Sequence, residues 1–152
     1  MQRMLAMLAL AASLTACSTG RLTEAESLAL YKTHAGPPVR DFQYLGHLSG
    51  WTPVGDEALA VWTKPNQAYL LELSGPCTDL TSAPAISLSN IGNRVSARFD
   101  NVYVLGGGGG SPRFRLPCRI QNILPLDVKA LKQAQKDLRE AKTVEREAAA
   151  AG

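Results

Sequence analysis

Cysteines offer the most chemistry in this chain of 152 residues, which contains three of them. Their positions are Cys17, Cys77 and Cys118. No Cys-x-x-Cys spacing occurs and no cysteine has a nearby histidine partner, so a two-cysteine metal or redox site is disfavoured. The roles that are left are covalent attachment of another group and disulfide formation, and the surroundings of each cysteine distinguish between these two roles.

The first sixteen residues have the pattern of a bacterial export signal. Arg3 gives a positive start, residues 4–12 form an apolar run, and Leu14-Thr15-Ala16-Cys17 resembles the lipobox of bacterial lipoproteins. The run is too short to cross a bilayer, which needs about 20 apolar residues. The resemblance implies lipid on the thiol and amino groups of Cys17, whereas the alternative is an ordinary secretory signal with a cysteine there by chance.

Lipid on Cys17 would make the membrane the first partner of the mature protein. More than one acyl chain gives stable anchoring where a single chain is marginal. Ser18 follows the cysteine, and a residue other than Asp there is compatible with transport to the outer membrane, so we expect a protein of the bacterial cell envelope that faces the periplasm. The net charge of +3 does not favour a nucleic-acid partner.

The other two cysteines are predicted to pair with each other. With Cys17 committed to lipid, Cys77 and Cys118 remain in an oxidising compartment, where a disulfide is the default. The bond would close a loop of about 40 residues and stabilise the fold by about 4 kcal/mol in the chain-entropy account. For a domain of this size that is a large share of the total stability.

Motifs for catalysis and cofactor binding are incomplete in this sequence. The histidines are His34 and His47, and no spacing places either beside a nucleophile. Residues 46–50 miss the register of a Gly-x-Ser-x-Gly elbow, and the glycine run 106–110 lacks the residues of a phosphate loop. The acids stand singly, without the spacing of a calcium loop. The sequence therefore predicts no cofactor, no metal and no enzyme activity, and a hydrolase with paired carboxylates is the last alternative.

One charge feature favours a binding role. Five arginines lie between residues 94 and 119, against the single acid Asp100: Arg94, Arg98, Arg113, Arg115 and Arg119. Because arginine forks bind carboxylate and phosphate well, the first four could form a face for an envelope protein or an anionic glycolipid. The alternative, which weighs more, is a set of solvated residues that point outward from strands.

Residues 58–77 are predicted to form the centre of the fold. Two apolar runs, 58–63 and 68–73, flank a four-residue Lys-Pro-Asn-Gln connection in which Pro and Asn suit tight-turn positions. Apolar side chains occupy both faces of both runs. This pattern predicts a hairpin whose two strands lie in the middle of a sheet that is covered on both sides.

A helix is predicted on each side of the strand region. Thr23 and Glu26 have the spacing of a capping box, which predicts a short helix from about residue 24 to residue 34 that Gly-Pro-Pro at 36–38 ends. Asp127 is a suitable cap for a longer helix to about residue 148, with an Ala-rich end that frays. Its narrow apolar stripe predicts packing against its own sheet.

Further strands are predicted over residues 42–48, 85–88, 114–116 and 119–124. Residues 51–57 have the composition of a turn-rich link and 91–94 that of a turn. Within 95–105 the pair Asp100-Asn101 is either a tight turn or a bulge. The glycine run with Ser111 and Pro112 is predicted to be a mobile loop.

The residues also resemble a known group, the bacterial lipoproteins of the domain of unknown function 6491. The resemblance covers about residues 40 to 130 and rests on Trp51, the run 59–63, residues 65–66 and 68–71, Gly75-Pro76-Cys77, Phe99-Asp100 and Cys118-x-Ile120 through Asp127. It implies a secreted or lipid-anchored domain of unknown activity and assigns no catalytic residue. The glycine run and the helical tail are departures from it or extensions.

These expectations define a mainly β fold of the α+β class. It comprises a small antiparallel sheet, barrel- or sandwich-like, with a short N-terminal and a longer C-terminal helix. The expected segments are a lipoprotein signal peptide (1–16), a tether with a short helix (17–39), a β domain with a disulfide (40–126), and a helix with a frayed tail (127–152). The expected function is that of a non-catalytic structural or binding lipoprotein, and the alternative is an inhibitor or ligand-binding lipoprotein that uses the glycine loop and the arginine face.

Overall fold

Eight strands and two α-helices are formed by the residues that the computed structural model describes, 21–106 and 116–152. The helices are α1 (Glu24–Thr33) and α2 (Val128–Ala150), and a 3-10 helix spans Leu80–Ser82. The strands are β1 (Asp41–Gln43), β2 (Gly50–Pro53), β3 (Ala58–Lys64), β4 (Gln67–Leu73), β5 (Ala85–Leu88), β6 (Arg94–Ser96), β7 (Asn101–Leu105) and β8 (Cys118–Leu126). The predicted signal peptide, Cys17, most of the predicted glycine loop, Arg113 and Arg115 lie outside the described residues.

Six of the strands form one antiparallel sheet in the order β2-β3-β4-β8-β7-β5, and β1 pairs with β6 in a separate two-stranded ribbon. Within the described part of the chain the larger sheet is open, with β2 and β5 at its edges. The predicted mainly β fold with a short first helix and a longer last helix is confirmed. The sheets are layered as in a sandwich and do not close into a barrel.

The predicted central hairpin is confirmed as β3 and β4. Lys64 pairs with Gln67, so the turn is the two residues Pro65 and Asn66, shorter than the predicted four-residue connection. Thr63 is the extra residue where the register shifts between the pairs on either side of it. β8 pairs with the other edge of β4 over residues 68–73, which places the hairpin inside the sheet.

The two faces of the central strands carry side chains of different size. Ala58, Ala60 and Ala68 are buried on the face that the helices cover, so the helices can approach the sheet closely. On the opposite face larger side chains pack beneath the β1–β6 ribbon, and the rings of Phe42 and Tyr69 stack with centroids 4.6 Å apart. The prediction of a hairpin covered on both sides is therefore confirmed.

Helix α1 begins where the sequence predicts. The Thr23 hydroxyl accepts the backbone N–H of Glu26 at 3.2 Å, and the Glu26 carboxylate accepts the backbone N–H of Thr23 at 2.8 Å. This is a capping box, and the bond from the Thr23 backbone is the main cause that lowers the pKa of Glu26. After the helix, the Gly36 N–H donates to the Pro125 carbonyl at 2.8 Å, which directs the chain along β8.

Helix α2 lies beside α1 in the opposite direction. The Asp127 carboxylate accepts a backbone N–H of the first turn at 2.9 Å, as predicted for its cap. Gln135 lies 3.4 Å from the Tyr31 hydroxyl, and the charge of Lys142 acts on Glu26 at the other end of α1. Only the first turns of α2 are buried among the described residues, and its second half is exposed. Neither described helix is long and apolar enough to span a membrane.

Two sequence predictions about strands differ from the structure, and a third is described at one residue alone. The predicted turn-rich link contains the edge strand β2, whose Trp51 pairs with Val61. The predicted strand over 42–48 ends at residue 43, because Gly46 has a φ of +88° that turns the chain. Of the predicted strand at 114–116, residues 114 and 115 lie outside the described residues, and Leu116 is exposed and precedes β8. A tertiary contact with β3 therefore decided the first outcome, and a local turn decided the second.

Candidate ligand-binding cleft

Cys77 and Cys118 form the predicted disulfide, with their Cα atoms 5.6 Å apart. Cys77 is buried in the core beneath the ribbon, and Cys118 is half-buried at the start of β8. The bond closes a loop of 41 residues that contains β5, β6 and β7. The disulfide is therefore part of the packing of this core.

The predicted arginine face is divided by the structure. Arg94 forms an ion pair with Asp41, which lies diagonally across from it on the other strand of the ribbon. Arg119 donates from its guanidinium to the backbone carbonyl of Arg98 at 2.8 Å. Of the described arginines in that set, Arg98 alone lines the cleft. The contribution of Arg113 and Arg115 stays a prediction, since both lie outside the described residues.

A cleft of about 430 Å³ opens beside β8, between two backbone segments. One wall is the segment 38–41 and the other is the turn 96–99, and β8 supplies the floor. The volume falls in the range of small-molecule sites, about 300–1,000 Å³. The lining residues are Pro38, Val39, Arg40, Asp41, Ser96, Ala97, Arg98, Phe99, Gln121 and Asn122.

The turn that forms one wall is fastened to β8 by its backbone. The Arg98 N–H donates to the Ile120 carbonyl at 2.7 Å, and the Ile120 N–H donates to the Asp100 carbonyl at 3.0 Å. Arg98 has a φ of +69°, in the left-handed region that a side chain other than glycine adopts at a cost. Such strain persists only where the surroundings enforce it, and it concentrates at functional sites.

Asp100 holds this turn from within. It is 4% exposed, and no other charged side chain among the described residues is buried. Its carboxylate accepts the Ser96 backbone N–H and the Ser89 hydroxyl, both at 2.7 Å, while the Ser89 oxygen accepts the Asn101 N–H at 2.9 Å. A buried carboxylate needs such partners to offset its lost hydration. The structure has its turn at 97–99, before the pair Asp100-Asn101 at which a turn or a bulge was predicted, and Asn101 begins β7.

The opposite wall is an irregular strand at the edge of β8. After α1 ends, the Val39 N–H donates to the Ile123 carbonyl at 2.8 Å. The Ala97 N–H donates to the Arg40 carbonyl at 2.9 Å, which joins the two walls directly. Both walls are therefore held by backbone hydrogen bonds before any ligand arrives, and the cleft is preorganised.

The floor of the cleft contains a bulge in β8. Glu72 pairs with Asn122 and Leu73 pairs with Ile120, which leaves Gln121 as the extra residue. Bulges of this kind re-aim side chains and are frequent next to functional sites.

Asn122 on the floor also connects the cleft to helix α1. The Glu72 carboxylate accepts hydrogen bonds from Asn122 at 2.9 Å and from the Lys32 ammonium at 2.8 Å. Burial raises the pKa of Glu72, but the bonds from Lys32 and Asn122 and the Lys32 charge outweigh it, so the pKa is lowered overall. The ionised form of Glu72 thus fixes one side of the floor.

The charges of the cleft favour an anion. Among the described residues neither Arg40 nor Arg98 forms an ion pair, and Asp41 is neutralised by Arg94. Phe99 is 76% exposed at the rim, beside Arg98. Two free guanidinium groups and an aromatic ring can bind a carboxylate or phosphate that carries an apolar surface.

Groups for catalysis do not converge on this cleft. Its described lining contains neither histidine nor cysteine. The scattered acids have separate structural contacts, including Asp56 with Thr81 and Asp127 with the first turn of α2. Within residues 21–106 and 116–152 no cluster of three side chains suited to a metal ion occurs. The arrangement is suited to binding.

A family model described as a family of unknown function, DUF6491, matches residues 1–142. The chain belongs to DUF6491. The predicted family resemblance is therefore confirmed, and it extends further in both directions than the motifs that indicated it. No curated protein and no solved structure matches the chain. Because the function of DUF6491 is unknown, the family assigns no site residue to this chain.

Sequence reasoning found one cleft residue of this DUF6491 protein, Arg98, and missed its partners. Arg40 lies before the arginine-rich stretch, at the first residue of the predicted β domain, and no sequence pattern assigned it a role. Phe99 supported the family resemblance without a role, and Gln121 acquires its position from a bulge that no local pattern marks. A signal did exist for Phe99, since an apolar residue between Arg98 and Asp100 belongs to no apolar run.

Proposed function

We propose that this DUF6491 protein is a non-catalytic, lipid-anchored protein of the bacterial envelope that binds an anionic ligand in the cleft beside β8. The observation that carries the binding role is the pair Arg40 and Arg98, two unpaired guanidinium groups on opposite walls of a preorganised cleft. Arginine on both sides can hold a carboxylate or phosphate by charge-assisted hydrogen bonds.

Preorganisation supports this proposal energetically. Binding loses affinity when loops and long side chains must be ordered at the moment of contact, by about 0.5–1.5 kcal/mol for each side chain. Here the turn of Arg98 is fixed to Ile120, and the Arg40 carbonyl accepts a hydrogen bond from the turn. The backbone on both walls is in place, and only the side-chain ends need to be ordered.

The anchoring role is supported by the N-terminal sequence. Cys17 follows Leu14-Thr15-Ala16, and the DUF6491 match begins at residue 1, so it includes this segment. Helix α1 starts at Glu24, a few residues after the anchor, which keeps the domain close to the membrane. Ser18, as a residue other than Asp after the cysteine, is compatible with transport to the outer membrane, where the domain would face the periplasm.

The binding role is tested with simple anions and arginine variants. Calorimetry with inorganic phosphate and with a dicarboxylate, on the full chain carrying Cys17→Ser, compares wild type with Arg40→Gln, Arg98→Gln and the double variant. Each single change should weaken binding at least about tenfold, because a hydrogen bond to a charged group contributes about 1.5–3 kcal/mol. Arg146→Gln, on the exposed end of α2, is the matched control and should bind as wild type. Equal affinity in all variants would remove the binding role.

The anchoring role is tested by metabolic labelling with an alkyne fatty acid in a diderm host. Wild type should incorporate label, and Cys17→Ser should not. The variant Cys77→Ser/Cys118→Ser should keep the label, because its anchoring cysteine is intact. Label in Cys17→Ser equal to that in wild type would contradict the anchor.

A further inference from the structure

We infer that the anionic ligand of the cleft is a saccharide that carries a carboxylate or phosphate group. This rests on the proposed binding function and adds the chemical class of the ligand. The cleft presents three kinds of groups together: two guanidiniums, an exposed aromatic ring, and side-chain amides on the floor. An anionic sugar has the complementary set, namely an acid group, a C–H face and hydroxyl groups.

The acid group is assigned to Arg40 and Arg98. Neither is in an ion pair with a described residue, and the one carboxylate in the lining, that of Asp41, is already paired with Arg94. The cleft therefore keeps two positive charges. Guanidinium forks hold carboxylate and phosphate oxygens in pairs, which fixes the position of the acid group.

The C–H face is assigned to Phe99. At 76% exposed it is an unusually open aromatic side chain, and it stands on a turn that Asp100 and Ile120 hold in place. The ring lies outside the core on a backbone turn that is hydrogen-bonded in place, so it is available to a ligand. It offers a flat apolar surface on which the C–H groups of a sugar ring can stack while the acid group stays on Arg98.

The hydroxyl groups are assigned to the floor. Gln121 is exposed at the bulge, and its amide makes no hydrogen bond to a described residue. It offers donors and an acceptor together, which is what a hydroxyl group can use. The Asn122 amide donates to Glu72, so its carbonyl oxygen is directed by that contact and stays an acceptor.

Four small probes separate the contributions in an NMR titration of the full chain carrying Cys17→Ser. Glucuronate has the acid and the ring, glucose 6-phosphate has a phosphate and the ring, acetate has the acid alone, and glucose has the ring alone. The two anionic sugars should bind more tightly than acetate, and glucose should bind most weakly. Phe99→Ala should weaken glucuronate binding about three- to tenfold and leave acetate unchanged, while Phe99→Trp should retain it.

The results distinguish this inference from the binding function on which it rests. If acetate binds as tightly as glucuronate and Phe99→Ala changes neither, the saccharide is wrong and the anion site stands. If no anion binds, both the saccharide ligand and the anion-binding function are wrong. A short Glu-rich peptide that binds more tightly than glucuronate would also overturn the saccharide and assign an acidic peptide.

Anionic sugars in the envelope have two sources, a glycolipid headgroup and the cell wall. Neutral phosphatidylcholine vesicles with added lipopolysaccharide test the first, and soluble peptidoglycan fragments test the second. The Cys17→Ser chain ensures that vesicle binding does not come from its own lipid. The source of the ligand is the one of these two that the protein binds, provided that Arg40→Gln/Arg98→Gln removes the binding. Vesicle binding that persists in the double variant would contradict recognition through this cleft.

Discussion

Arg119 donates a hydrogen bond of 2.8 Å from its guanidinium to the backbone carbonyl of Arg98. One arginine thus holds the backbone from which the other reaches into the cleft. The same residue, Arg98, has its N–H on Ile120 and a left-handed φ of +69°. Two backbone hydrogen bonds and a left-handed φ thus fix the backbone of this one exposed residue. We infer that the turn serves to position the Arg98 side chain.

Strain at Arg98 predicts that stability and binding separate at this position. The left-handed conformation costs a residue other than glycine about 1–2 kcal/mol, and Arg98→Gly removes this cost. Glycine also makes the unfolded chain more flexible, which destabilises the folded state by about 0.4–1 kcal/mol. Arg98→Ala is the matched control, since it loses the same guanidinium and keeps the strain. Thermal unfolding should find the Gly variant about 1 kcal/mol more stable than the Ala variant, while both lose anion binding equally. Equal stability of the two would contradict the strain.

Asp100 is predicted to be needed for the turn. Asp100→Ala leaves the part-buried Ser96 N–H and Ser89 hydroxyl without their acceptor, which should lower the free energy of unfolding by about 2–3 kcal/mol. Denaturant unfolding measures the loss. Asp56→Ala, which removes an exposed carboxylate 3.4 Å from Thr81, should cost less than about 0.5 kcal/mol. A loss at Asp100 as small as at Asp56 would show that the carboxylate does not anchor the turn.

Glu72 gives the fold a stability that depends on pH. Its pKa in the folded state lies below the ordinary value of 4.5, so the ionised form stabilises the fold above that pH, and the contribution is lost as the pH falls through the lowered pKa. Glu72→Gln should lower stability by about 1 kcal/mol at neutral pH, and the difference should disappear in acid. Thermal unfolding over pH measures it, with Glu140→Gln, in the exposed pair with Lys136, as control. A difference that persists unchanged in acid would be inconsistent with this role.

The disulfide is predicted to be a large part of total stability. Closing a loop of 41 residues corresponds to about 4 kcal/mol. The double variant Cys77→Ser/Cys118→Ser should unfold at correspondingly lower denaturant concentration, with the anion site weakened only through lost folding. Mass analysis of exported wild type without reductant should find no free thiol at these positions. Two free thiols there would refute the bond in the cell.

Local signals were sufficient for much of the fold. Some elements are determined by residues within the element itself, so they formed where they were predicted. These are the helix that the capping box at Thr23 begins, the helix that Asp127 caps, and the hairpin of β3 and β4. The cysteine pairing followed from compartment and count. Edge strand β2 could not be found this way, since Trp51 is in a strand only because β3 provides its partner.

The cleft was hidden for the same reason. Arg40 and Arg98 lie far apart in the chain, and they line the same cleft because both flank β8. The bulge at Gln121 arises from a mismatch between β4 and β8 that neither strand shows alone. The sequence gives the number of arginines. Which of them pairs with Asp41, and which donates to a backbone carbonyl, depends on neighbours that only folding brings together.

An amide NMR titration of the full chain carrying Cys17→Ser with glucuronate tests the central claim most directly. Binding in the cleft should shift the signals of residues 38–41, 96–99 and 121–122 together, on one saturation curve, with the arginine side chains of the two walls. In Arg40→Gln/Arg98→Gln the same signals should no longer respond. Shifts confined to other surfaces, or shifts that the double variant retains, would contradict an anion site beside β8.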